Sequence, residues 1–196
     1  ALGHQRPPPA EIDVVVVGAG LSGLSVAAAF ADQSTPVAVL EKSSTAGGVW
    51  AHWGNSFSRV NVSGPGYQLP TSQRKRSSMM HPYHHDIMGD VLGVIVEHGL
   101  ARNLHTLTDV LSVKPAQSAG WLLSGTTANG DASFATTCKL ACLCTNRRLG
   151  TKREFKFPNE DCFLGAVARG LTDDTKGLIW HDKQVVVVGF GAYAVE

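Results

Sequence analysis

Residues 12–17, Ile-Asp-Val-Val-Val-Val, form a β-branched run interrupted only by Asp13, the pattern of a strand covered on both faces. A glycine-rich stretch follows, and residues 24–30, rich in alanine, read as a small-residue helix. Residues 36–40, Pro-Val-Ala-Val-Leu, are a second buried strand. Farther on the period changes. Ile87, Val91, Val94 and Ile95 recur at helical spacing, which predicts an amphipathic helix over 86–98 with Asp86 as N-cap and Gly99 just past its end. Residues 108–113 and 121–123 then read as short strands, with turn signals at Lys114-Pro115, Ala119-Gly120 and Ala128 to Asp131. That spacing predicts an antiparallel β-meander. Residues 140–144, Leu-Ala-Cys-Leu-Cys, read as a buried strand, and Val185 to Val188 as one more. The predicted class is α/β: a parallel sheet with an antiparallel meander inserted.

The glycine stretch between the first strand and helix is Gly18-Ala19-Gly20-Leu21-Ser22-Gly23, a G-x-G-x-x-G. Each glycine has its own task in a dinucleotide-binding turn. Gly18 makes the tight turn, Gly20 lets the backbone approach a pyrophosphate, and Gly23 lets helix and strand pack closely. The helix N-terminus then favours the phosphate charge. The second strand ends on Glu41, 18 residues past Gly23, near the spacing of an acid that accepts both ribose hydroxyls. A carboxylate there repels a 2′-phosphate, so the first site is expected to hold FAD or NAD rather than NADP.

Glu41 is followed by Lys42-Ser43-Ser44-Thr45-Ala46-Gly47-Gly48-Val49-Trp50. The pattern E-K-x-x-x-x-G-G-x-W after a G-x-G-x-x-G resembles the flavin-containing monooxygenases and their Baeyer–Villiger relatives. The resemblance implies a Rossmann-like FAD-binding domain in which Lys42, Gly48, Val49 and Trp50 join the glycine turn and Glu41 around FAD. Trp50 is equally open to a packing role. A disulfide reductase would carry a cysteine pair shortly after this turn, where the chain has Trp50, Ala51, His52 and Trp53; an amine oxidase would carry an Arg where Val49 stands. The resemblance also implies an oxygen-side hydrogen-bonding role for Asn61, in the segment Ser58 to Pro65, although an Asn before Gly-Pro is also an ordinary loop residue. Two positions depart from the family pattern. Asn146 stands where a glycine is usual after Ala-Thr, and Arg169 ends the Phe163-x-Gly165 segment where a His is usual. Asn tolerates left-handed geometry next best, and Arg, unlike His, keeps its charge.

Composition narrows the picture. At 196 residues, 43% hydrophobic and 17% charged, the chain suffices for one domain, or one plus part of another. A net charge of +1 argues against nucleic-acid binding as its main business. No apolar stretch approaches the roughly 20 residues that span a bilayer. Arg74, Lys75 and Arg76 read as a solvated charge run ahead of a phosphate patch. His81, His84 and His85 have only Asp86 beside them, so no metal site is expected. Cys138, Cys142, Cys144 and Cys162 lack C-x-x-C spacing and read as small buried hydrophobes in a reducing, cytoplasm-facing compartment, with a metal or redox pair as the other reading.

The last residues, Val-Val-Val-Val-Gly-Phe-Gly-Ala-Tyr-Ala, place Gly189, Gly191 and Ala194 in a second G-x-G-x-x-A, 171 residues after Gly18. The expected division is a disordered lead-in over 1–11, an FAD-binding domain over 12–156, a crossover over 157–182 and the start of an NAD(P)H-binding domain over 183–196. The lead-in lacks an initiator Met and an apolar core, so it does not read as an intact signal peptide. NADPH follows from the resemblance alone. The implied activity is that of a parent enzyme that spends NADPH and O₂ to oxygenate a nitrogen or sulfur nucleophile or a ketone, with this segment alone giving little turnover. A reductase or dehydrogenase of the same fold and a non-catalytic nucleotide-binding remnant are the alternatives.

Overall fold

Alternation within the first valine run decides how the layers form. The computed structural model describes residues 3–117, 119–127, 130–146, 155–170 and 174–189. Strand β1 (Glu11–Val17) turns Val14 and Val16 to one face and Val15 and Val17 to the other, and all four are buried. Strand β2 (Val37–Leu40) pairs parallel to it and repeats the split, with Val37 and Val39 on the first face and Ala38 and Leu40 on the second. Helix α1 (Leu21–Asp32) and the later helix α3 (His84–Glu97) cover the first face. Leu24, Ala27 and Ala28 of α1 meet Val91, Val94 and Ile95 of α3 there. Each fully buried Leu or Val of this layer contributes roughly 1.5–3 kcal/mol relative to an exposed position.

The meander covers the second face. Strands β4 (Thr108–Pro115), β5 (Trp121–Thr127) and β6 (Ala132–Leu143) run antiparallel, and Leu123 and Phe134 pack on Val15, Val17, Ala38 and Leu40. Strand β6 belongs to both halves of the sheet. Its first part pairs antiparallel with β5; its second part pairs parallel with β1, from Glu11 opposite Thr137 to Val17 opposite Leu143. With the short β3 (Leu104–His105), the strand order is β3-β2-β1-β6-β5-β4. The α/β class, the parallel core and the inserted meander are as the pattern predicts.

Several boundaries differ, each for a physical reason. The described start of the lead-in lies against β3. His4 pairs as a parallel bridge with His105, its N–H donates to the Leu104 carbonyl, and its ring packs edge-on against His105 at 4.5 Å. Residues 3–6 thereby cover the β3 edge, which would otherwise present unpaired backbone groups. Asp86 is the third helical residue of α3, not its cap: its carboxylate accepts the Tyr83 N–H at 3.0 Å from inside the first turn. Gly99 does follow the helix in left-handed geometry, φ +62°. The buried strand expected at 140–144 is the end of β6, and it is only partly covered on both faces: Leu140 is 43% and Leu143, on the opposite face, 63% exposed, while Ala141 and Cys142 are half-buried against the two core layers. Asn146 is not among the residues with positive φ.

The strand expected at 185–188 makes no ladder among the described residues, and Val186 is 85% exposed. A parallel strand forms only against neighbours that take its backbone hydrogen bonds, and no described strand lies beside this one. Over 155–170 and 174–189 the one regular element is the short 3₁₀ turn Glu160–Cys162. Arg169 ties this stretch together: its Nη2 donates to both Glu160 carboxylate oxygens, at 2.8 and 3.1 Å, and to the Phe155 carbonyl. No described helix is long and apolar enough to cross a membrane.

Candidate cofactor site

The chain brings the first glycine turn, Glu41 and the second glycine turn to one place, at the C-terminal ends of β1 and β2. Gly18 leaves β1 at φ +101°, and a Cβ there would stand 2.6 Å from the Cys144 carbonyl oxygen. A Cβ on Gly23 would fall on the Gly18 carbonyl oxygen, so this glycine sets how closely α1 approaches β1. Gly20 caps α1 in an extended conformation, without a side-chain cap, and the first turn of α1 holds no acidic residue. The positive end of the helix dipole therefore has no counter-charge from its own first turn.

The second turn locks onto the first. The Gly47 N–H donates to the Ala19 carbonyl at 2.9 Å, and a Cβ on Gly48 would stand 2.9 Å from the Gly20 Cα. Gly48 has φ +56°, which an L side chain resists. Short helix α2 (Val49–Trp53) starts directly after it. The two glycine turns thus make one backbone-lined cradle whose close approach leaves no room for side chains on Gly48.

Glu41 is buried between the turns and the meander. Its Oε2 accepts the Ala19 N–H at 2.7 Å and its Oε1 accepts the Ser43 N–H at 2.8 Å. Its own N–H and carbonyl are taken by the His105 carbonyl and the Thr108 N–H. The carboxylate is therefore fixed to the glycine turn itself. Each of its oxygens keeps a second lone pair for a ligand hydroxyl. Beside it Lys42, exposed, lines an open cleft of about 280 Å³ with Leu107, Asp109, Thr126 and Gly130.

The remaining sequence candidates separate. Trp50 flanks the cradle: its indole N–H donates to the Tyr67 hydroxyl at 3.0 Å, and its carbonyl accepts from His84 Nε2 at 3.0 Å. Val49 is exposed at the start of α2. Asn61 is exposed on the bend between the Arg59–Tyr83 bridge and the 3₁₀ turn Gly64–Gly66, away from the two glycine turns in sequence and with its role untouched by the cradle's hydrogen bonds. Gly189 has φ +123° on an exposed stretch, and Gly191 and Ala194 lie outside the described residues. Cys138 is buried and Cys142 and Cys144 are half-buried, whereas Cys162 is exposed. Burial pushes the Cys138 and Cys144 thiols above their usual range, which suits packing rather than nucleophilic work.

Sequence reasoning missed one group. Arg76, expected in a solvated run, has its side chain only 14% exposed and reaches Asp90 Oδ2 at 2.6 Å. Asp90 is buried on the inner face of α3. Burial raises the Asp90 carboxyl above the ordinary carboxylate range, against the pull of Arg76 and Arg74. The one available signal was Asp90 itself, a charged residue on the helix face that carries Ile87, Val91 and Val94.

A sequence model of the Thi4 family matches residues 8–77, less than half of the chain but including both glycine turns and Glu41. No curated protein sequence matches. Among solved structures, an oxidized steroid monooxygenase bound to NADP is 24% identical with a TM-score of 0.56; the match covers 68% of this chain and 26% of that one. A polycyclic ketone monooxygenase from the thermophilic fungus Thermothelomyces thermophila is 14% identical with a TM-score of 0.61, over 72% of this chain and 24% of that one. Bacillithiol disulfide reductase from Staphylococcus aureus is 14% identical with a TM-score of 0.57, over 70% and 39%. The chain spans about a quarter of the length of the two monooxygenases. Its sheet, glycine turns and meander make up the Rossmann-like dinucleotide-binding fold that these monooxygenases and the reductase have in common.

Proposed function

We propose that the chain is the FAD-binding part of a flavin-dependent monooxygenase, an oxidoreductase that uses NADPH and O₂ to insert one oxygen atom into a nitrogen or sulfur nucleophile or a ketone. The observation that carries the reading is the approach of Gly48 to Gly20 beside the buried Glu41. A pyrophosphate needs backbone N–H groups at a helix start with no side chain in the way, and the α1 start supplies them. A ribose needs an acceptor-only group fixed at the strand end, and Glu41 is held there by two backbone donors. In this reading the open cleft beside Lys42 takes the base beyond that ribose.

FAD, when bound, supplies hydride acceptance from NADPH and the reaction with O₂; the protein's part is to hold and orient it. In this reading the first turn of α1 and the Ala19–Gly20 backbone hold the phosphates, Glu41 selects an unphosphorylated ribose, and Trp50 walls the flavin side. Asn61 acts as a hydrogen-bonding residue on the oxygen side, and Gly189, Gly191 and Ala194 open the NADPH unit. The monooxygenases among the structural neighbours support oxygenation over simple reduction, and the reductase neighbour keeps reduction as the second reading.

Titration of the purified chain with FAD, followed by flavin fluorescence, tests the first step. Saturable quenching by FAD, with far weaker competition by NADP⁺ than by ADP-ribose, is expected. A chain that quenches no flavin, or that prefers a 2′-phosphate, sinks the reading. NADPH oxidation by the isolated chain is expected to be negligible.

A further inference from the structure

The geometry points to Asp90 and Arg76 as a positioning pair that sets the Trp50 wall of the cradle, acting through Tyr67; the inference rests on the FAD-binding reading above. Asp90 sits on the buried face of α3, with its side chain 3% exposed. Its Oδ2 meets Arg76 Nη2 at 2.6 Å, whereas its Oδ1 has no hydrogen-bond partner and stands 4.0 Å from Arg74 Nη1. Among the described residues Arg76 is therefore the hydrogen-bonded charge partner of this carboxylate, with Arg74 farther off.

Arg76 uses the rest of its fork on backbone. Nη1 donates to the Tyr67 carbonyl at 2.6 Å, and Nη2 also donates to the Asp86 carbonyl at 2.8 Å. The guanidinium thus pins the segment that follows the Gly64–Gly66 turn onto the first turn of α3. Tyr67 passes the constraint on. Its hydroxyl accepts the Trp50 indole N–H, and the two rings meet edge-on at 6.0 Å. Trp50 stands two residues past Gly48, the residue that touches Gly20. His84, at the start of the same α3, holds the Trp50 carbonyl. Helix α3 therefore reaches the second glycine turn by two routes, and the longer one runs through the buried pair.

Stability alone does not account for this arrangement. A buried ion pair gains little over a well-packed apolar pair, because desolvation offsets the attraction. What an apolar pair cannot do is grip carbonyls on two elements at once, which a planar five-donor fork can.

The test uses the 196-residue chain in three variants: Asp90→Asn, Tyr67→Phe, and the apolar replacement Arg76→Met with Asp90→Leu. Two readouts are taken: the Trp50 indole N–H resonance in cofactor-free protein, assigned by its loss in Trp50→Phe, and FAD affinity. Asp90→Asn is expected to move the Trp50 resonance and to weaken FAD binding about tenfold, the scale of one charge-assisted hydrogen bond. Tyr67→Phe, which removes only the indole's acceptor, should move the same resonance. The apolar double variant should melt at or above the wild-type temperature and still show the displaced resonance and the weaker affinity.

A pair that serves stability alone would change melting and leave both readouts of the folded protein untouched. The positioning role is overturned by a folded double variant with wild-type resonance and affinity, or by an unmoved resonance in Tyr67→Phe. Should Asp90→Asn not fold, those two variants decide. Should the wild type bind no FAD, the functional reading fails, and the indole resonance still decides the positioning.

Discussion

Gly20→Ala separates a glycine needed by the fold from one needed by a ligand. Gly20 has φ −77° and ψ −177°, which any residue adopts, and a Cβ on it would lie 3.7 Å from the Gly48 Cα, an ordinary contact. Replacing glycine in such a conformation gains about 0.4–1 kcal/mol through the unfolded chain. Alanine is a poorer N-cap than glycine by roughly the same amount. The two effects offset, so stability should stay within about 1 kcal/mol and the melting temperature within about 4 °C. Binding should respond very differently. The new methyl stands between the two glycine turns, where the pyrophosphate must approach, and costs at least one charge-assisted hydrogen bond. At about 1.5–3 kcal/mol, that weakens FAD binding by roughly 10- to 150-fold. Gly23→Ala is the control: its Cβ falls on the Gly18 carbonyl, backbone that cannot step aside, so it should lose about 3 kcal/mol or fail to fold. Thermal melting and FAD titration on both variants give the comparison. Wild-type FAD affinity in Gly20→Ala would refute the cradle, and a melting loss as large as that of Gly23→Ala would refute the steric reasoning.

Two further perturbations test the groups around that cradle. Glu41→Gln sets an amide NH₂ against either the Ala19 or the Ser43 N–H, so stability should fall by about 1–3 kcal/mol together with FAD affinity; melting and titration that do not fall together would remove Glu41 from the site. His98 donates from Nδ1 to Asp32 at 2.5 Å and from Nε2 to the Thr71 carbonyl at 2.8 Å, which only the imidazolium can do. Burial pulls its pKa down, but the Thr71 carbonyl and the Asp32 and Glu97 charges outweigh burial and raise it. A raised histidine pKa contributes stability that is complete below the unfolded value, near 6.5, and is lost as pH climbs through the folded one. His105, lowered by burial, acts in the opposite sense and loses its contribution as pH falls. The melting temperature of His98→Gln should therefore drop less than that of the wild type between pH 6 and pH 9. Parallel pH profiles would remove the clamp.

The elements that the sequence made legible are those whose partners are local or symmetric. A valine run buried on both faces reads as an interior strand whatever covers it, and Gly18, Gly20, Gly23 and Glu41 lie close enough in sequence for their spacing to state their geometry. The meander was readable because each of its turns carries its own glycine or proline signal. What stayed hidden depends on partners far along the chain. The residue His4 is ordered by Leu104 and His105, about a hundred positions away. Arg76 looks solvated beside Arg74 and Lys75 until α3 turns Asp90 toward it. The exposed end of β6 was misread for the same reason: an apolar run says that burial is possible, and only the sheet order says which neighbour provides it.

The same reasoning ranks the two glycine motifs. In the proposed reading residues 18–23 are the binding turn, and four separate features at one spot support it: the extended Gly20 cap, the α1 start without a side-chain cap, the Gly48 approach and the doubly held Glu41. Gly189 shares the letters and a positive φ, yet among the described residues a Cβ there would meet nothing within 4 Å. A glycine whose missing side chain nothing occupies states a conformational allowance. A glycine pressed against another turn's backbone, as Gly48 is against Gly20, states a fitted surface. The pressure of one backbone on another, more than the spacing of the letters, is what favours 18–23 as the proposed cofactor turn.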